Sequence, residues 1–105
     1  YVAKINDNNL GAPSASSGIW ERISFVYDST GLGDGDNMKI YIDDLEAVGK
    51  SANEGNIQSG NKAIGNKPGS FVTRDGLDGR IDDPRIYSKA LSGEEVSNLY
   101  NTGSI

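Results

Sequence analysis

Two adjacent carboxylates, Asp82 and Asp83, stand in the run Arg80-Ile81-Asp82-Asp83-Pro84-Arg85-Ile86-Tyr87. Neighbouring like charges repel unless something positive lies beside or between them. A calcium ion held by one carboxylate and by backbone carbonyls of a facing loop is one answer. The other is ion pairing of Asp83 with Arg85 or Arg80, while Asp82 accepts backbone N–H groups at a bulge. A second oxygen cluster is Asp34-Gly35-Asp36-Asn37. Its alternating acids match the start of a helix-flanked calcium loop, but the closing bidentate glutamate is missing, because positions 38 to 45 read as a strand followed by Asp43-Asp44-Leu45. A plain turn joining two strands explains Asp34 to Asn37 without an ion, and Asp7-Asn8-Asn9 reads the same way. The candidate calcium ligands are therefore Asp82, Asp83, Asp34 and Asp36.

The elements that must hold these residues are short. Arg80 to Tyr87 reads as a strand, with Asp82, Pro84 and Ile86 on one face and Ile81, Asp83, Arg85 and Tyr87 on the other. It passes directly into a helix: Ser92 with Glu95 three residues later is a capping box, and Val96, Leu99 and Tyr100 form a narrow apolar stripe. Upstream, Tyr1 to Ile5 alternates as a strand and ends at the turn-rich stretch 6 to 9. Residues 11 to 18 read as a loop. Ile19 to Asp28 carries apolar groups on both faces, as an interior strand does. Ser29 to Asn37 is a turn, and Met38 to Asp43 puts Met38, Ile40 and Ile42 opposite Lys39 and Tyr41. These two runs pair as an antiparallel hairpin with a long loop. Leu45 to Val48 is a return strand, 49 to 61 a loop, and Lys62 to Asn66 and Ser70 to Arg74 are further short strands. Five to seven strands with one terminal helix and no internal repeat amount to an all-β, antiparallel β-sandwich.

Composition sets the limits. The 105 residues allow one domain, 1–105, and the 35% apolar content with 14 glycines suits short strands joined by turns better than a helical bundle. A net charge of −5 makes nucleic acid and anionic membrane poor partners. The chain has no cysteine and no histidine, so thiolate chemistry and the commonest general base are absent, and any metal is a hard cation on oxygen ligands. No apolar run approaches the roughly 20 residues of a membrane span.

The series Trp20-Glu-Arg-Ile-Ser-Phe-Val-Tyr-Asp28, Met38-Lys-Ile-Tyr-Ile-Asp-Asp44, Ala63-Ile-Gly65 and Leu77 to Tyr100 resembles the laminin-G-like, concanavalin A-type jelly-roll domains of bacterial and archaeal secreted proteins. The last segment is the most specific, since such domains carry a G-x-I-D-D-V-R-I-Y-like string followed by a short helix. The resemblance implies two antiparallel sheets packed face to face. It also implies a structural calcium, carried onto Asp82 or Asp83, and an extracellular or cell-surface location. Three departures stand out. Pro84 replaces the usual valine and points to a sheet edge or bulge. Asp44 stands where such domains have glycine, which counts against a tight hairpin there. The chain is shorter than such domains and reads as their later part, so a preceding segment or a second copy in a homodimer is expected to complete the sandwich.

The resemblance implies carbohydrate binding, in which aromatic rings stack on a sugar while polar groups take its hydroxyls. Trp20, Tyr41 and Tyr87 are the candidate rings, and Asn61, Asn66, Arg74 and Asp75 the polar partners. Core positions for Trp20 and for Tyr87, beneath the helix, are the competing reading. Some sandwich hydrolases place catalytic carboxylates as E-x-D-x-E on one strand, and that string does not occur here, so no enzyme activity is expected. The expected role is a noncatalytic carbohydrate-binding or adhesion module; the alternative is a protein-contact or spacer module with no small ligand.

Overall fold

A computed structural model describes residues 1–6, 8–13, 18–57, 63–65, 77 and 79–105. Its elements are β1 (Val2–Ile5), β2 (Asn8–Gly11), β3 (Ile23–Tyr27), β4 (Met38–Ile42), β5 (Leu45–Lys50) and α1 (Gly93–Thr102). All pairings are antiparallel: β1 with β2 in one sheet, and β3-β4-β5 in the other, with β4 central. The β-sandwich reading of the sequence agrees with this layered, antiparallel arrangement.

Alternation along β4 organises the molecule, because it sends two kinds of side chain to two faces. Met38 and Ile40, fully buried, form one core with Leu10 of β2, joined by Ala3, Ile5, Tyr27 and Val48. On the opposite face Tyr41 packs with Val26, Leu91 and the α1 residues Val96 and Leu99. The three-stranded sheet is thus covered by the β1–β2 hairpin on one side and by α1 on the other.

Helix α1 begins where the capping box places it. The Ser92 hydroxyl accepts from the Glu95 N–H at 3.1 Å, and a Glu95 carboxylate oxygen accepts from the Ser92 N–H at 3.1 Å. Gly103, at φ 77, ends the helix in the left-handed conformation that glycine adopts without steric cost. Tyr100 does not share the buried stripe; it is exposed on the outer side of α1.

Several segments differ from the sequence expectations. Asn8 and Asn9 belong to β2 rather than to a turn, with Asn6 at φ 54 beginning the reversal. Residues 19–22 precede β3 instead of forming part of it, and β3 is an edge strand of its sheet among the described residues. Trp20 accordingly lies outside the core, 67% exposed. The tight β4–β5 hairpin does form without a glycine at position 44, because Asp43 takes φ 58 and is tied at both ends: its N–H donates to the Arg22 carbonyl at 2.7 Å and its carboxylate accepts from the Arg22 N–H at 3.0 Å. Residues 80–87 are not a strand. They run exposed, without a ladder, up to the half-buried Tyr87. Pro84 lacks the N–H a ladder needs and Asp83 sits at φ 53, outside the β region, so the chain cannot continue as regular strand through this pair. Of the run 62–66, residues 63–65 are described and form no strand, with a bend at Ile64 and Gly65, and the expected strand 70–74 lies outside the described residues.

Candidate functional site

Lys39 shares its sheet face with Tyr41, and the register sets Val26 on one side of it and Gly49 on the other. A lysine in the middle of a sheet face, its side chain only 11% exposed, requires charged partners. Two segments supply them. The β3–β4 loop, with Gly33 and Gly35 at φ 94 and 96, brings Asp34 back onto the Lys39 ammonium as an ion pair. From the other side comes Glu46, 2.7 Å from Lys39 Nζ. Glu46 reaches this face because β5 carries a bulge: Ile40 pairs with Val48 but Tyr41 with Glu46, so Ala47 is the extra residue and Glu46 is turned from the Met38–Ile40 face to the Lys39 face.

Asp36 completes the group. Its N–H donates to Asp34 Oδ1 at 3.1 Å, and its own carboxylate lies over Gly49, where an added Cβ would come 2.9 Å from the Asp36 Cγ. One carboxylate oxygen from each of Asp34, Asp36 and Glu46 lies within 4.8 Å of the others. Hydrogen bonds to Asp34 and then to Glu46 push the Lys39 pKa up. The Lys39 bond, followed by the Asp36 backbone N–H, holds Asp34 below the usual carboxylate range.

The donor chemistry here is that of a calcium site, since calcium takes about six to eight oxygens, carboxylates foremost. The arrangement nevertheless does not fit a resident ion, because the Lys39 ammonium already occupies two of the three carboxylates. In the Asp82–Asp83 pair, Asp83 is already engaged by an arginine. Both oxygens of Asp83 accept from the Arg85 guanidinium, at 3.1 Å from Nε and 2.8 Å from Nη2, and Asp82 joins no group of three acids among the described residues. Arg85 also donates from Nη1 to the Gly103 carbonyl at 2.7 Å, tying residues 83–85 to the end of α1. The ion-pair reading of Asp83 is therefore the one the geometry follows.

The three candidate rings are separated. Tyr41 is buried in the helix-side core, and Tyr87 is half-buried against the same cluster, so neither offers a face to a sugar. Trp20 does, with Ile19 beside it 65% exposed. Asn61, Asn66, Arg74 and Asp75 lie outside the described residues. A cleft of about 320 Å³ opens between the sheet and the start of α1, lined among others by Val26, Asp28, Leu32, Lys39, Tyr41 and Ser92. Burial, above all, raises the Tyr41 pKa. Among the described residues, the carboxyl groups with shifted pKa values, Asp28, Asp34, Asp83 and Glu95, are all shifted down, each chiefly by a side-chain hydrogen bond. Lys39 and Glu46 were the residues missed by pattern. Lys39 could be placed beside Tyr41 by alternation, whereas Glu46 depends on a bulge that leaves no mark in the sequence.

Compared with known proteins, residues 3–97 match a laminin-G model of the concanavalin A-like lectin/glucanases superfamily. No curated protein matches. Among solved structures, the chain is similar to residues 221–444 of an S-layer domain-containing protein from Clostridium thermocellum, with a TM-score of 0.63 and 22% identity over 90% of this chain and 45% of that one. The chain thus spans less than half the length of that structure, and at this identity the likeness is one of fold.

Proposed function

Because the chain belongs to the concanavalin A-like lectin/glucanases superfamily, we propose that it works as a noncatalytic, surface-associated recognition module that binds carbohydrate through Trp20. The carrying observation is the 67% exposure of Trp20, a residue with a large apolar ring, next to the similarly exposed Ile19. Such a ring provides a flat platform for the apolar face of a sugar. The S-layer domain-containing neighbour supports a place at the cell surface. Support for a noncatalytic role comes from the described carboxyl groups: a glycoside hydrolase needs one acid with a raised pKa to protonate the leaving group, and among the described residues the shifted ones go the other way.

A glycan array probed with the chain and with Trp20→Ala tests the reading. Binding that the variant loses, with thermal stability unchanged because the ring buries little, is the expected result. Silence on every glycan would favour the protein-contact or spacer role instead. Equal binding by chain and variant would move the site away from Trp20.

A further inference from the structure

Three carboxylates, two from the β3–β4 loop and one from strand β5, converge on one point of the sheet, and the point is already occupied by a covalently attached cation. Asp34 and Glu46 both bond the Lys39 ammonium, and Asp36 lies within 4.8 Å of both carboxylates. We propose that Lys39 is the resident cation of this cluster. Its ammonium takes the place a divalent ion would otherwise have, so the β3–β4 loop and the β5 bulge are held together without calcium, and removing Lys39 converts the cluster into a calcium site.

The charges support the assignment. Three carboxylates and one ammonium sum to −2, so without Lys39 the same few ångströms would carry −3. Oxygens crowded to 4.8 Å repel strongly at that charge unless a cation bridges them. Lys39 can serve only because its stem runs along the sheet face between Val26 and Gly49, leaving the ammonium at the loop. Gly49 leaves room on the other side: its hydrogen is all that fits beneath the Asp36 carboxylate. The set of donors is hard oxygen, and its partner ion in the absence of the ammonium is therefore a hard divalent cation of calcium's size, with water filling the remaining positions.

The inference stands apart from carbohydrate binding and is tested without any glycan. The full chain and the variants Lys39→Met and Lys39→Gln are melted with and without 10 mM calcium chloride, ionic strength being matched with sodium chloride; the millimolar dose follows the ~10⁻⁴–10⁻³ M affinity of weak calcium modules. The unmodified chain is expected to show no calcium-dependent shift. Each Lys39 variant is expected to melt lower without calcium and to regain about 4 °C or more with it. The gain should vanish in Asp34→Asn/Lys39→Met. Terbium emission sensitised through Tyr41 should appear in the Lys39 variants alone. The proposal is overturned if calcium stabilises the unmodified chain as much as the variants. It is equally overturned if the variants fold but ignore calcium, or if neither folds even with calcium present.

Discussion

Asp83 sits in a backbone conformation, φ 53, that most side chains avoid, and it is held there by the Arg85 fork. The hydrogen bond from Arg85 is the main reason its carboxyl lies below the ordinary 3.8. A group whose pKa falls on folding adds stability above its unfolded value, and that contribution disappears as pH drops through the folded value. Carboxyl titration by NMR should therefore place Asp83 below 3.8 in the intact chain and return it toward 3.8 in Arg85→Gln. An unchanged titration in the variant would mean that the fork is not what holds the charge. Because Arg85 also caps the Gly103 carbonyl, the same variant should speed amide exchange in the last turn of α1. No gain or loss of glycan binding at Trp20 is expected from Arg85→Gln.

Helix α1 shows at the level of an element what local sequence can specify. Ser92→Ala removes one arm of the capping box and should cost about 1 kcal/mol, read from the urea midpoint. Val96→Ala, at a residue with no exposed surface, should cost about 2–3 kcal/mol through lost burial and the cavity left behind. If Val96→Ala cost no more than Ser92→Ala, α1 would be stapled by its cap rather than by the sheet. The cap box was legible because Ser and Glu three apart have one local meaning. The alternation of β4 was legible because Met38, Ile40 and Ile42 are all strongly apolar. The run 80–87 misled because its alternation is equally compatible with an extended chain that pairs with nothing, and the deciding facts, the Asp83 dihedral and the Arg85 fork, are not periodic. The competing core reading of Trp20 failed for a related reason: the residue heads an apolar run whose strand begins only at Ile23. At the site, Asp34 and Asp36 could be picked out as an acidic loop, but their partners Lys39 and Glu46 come from strands whose facing is set by tertiary pairing.

At the scale of the molecule, the described residues form two cores back to back on one three-stranded sheet, and both depend on β4. Met38 and Ile40 point to the hairpin side, Lys39 and Tyr41 to the helix side. Strand β4 is only five residues long, so neither core can keep its geometry if the strand shifts. The two clusters should then unfold together, as a small domain with a shared central strand does. Ile40→Ala tests this, because Ile40 is 1% exposed and belongs to the hairpin-side core alone. The truncation should cost roughly 2–5 kcal/mol, a large part of the total for a small domain. Following the methyl resonances of Met38 and Val96 through urea gives a readout on each face. Both midpoints should fall by the same amount in Ile40→Ala, although Val96 touches nothing on the mutated side. Val96 keeping its original midpoint while Met38 loses its own would show that the helix and its cluster fold as a separate unit, and β4 would then be a boundary rather than a shared support.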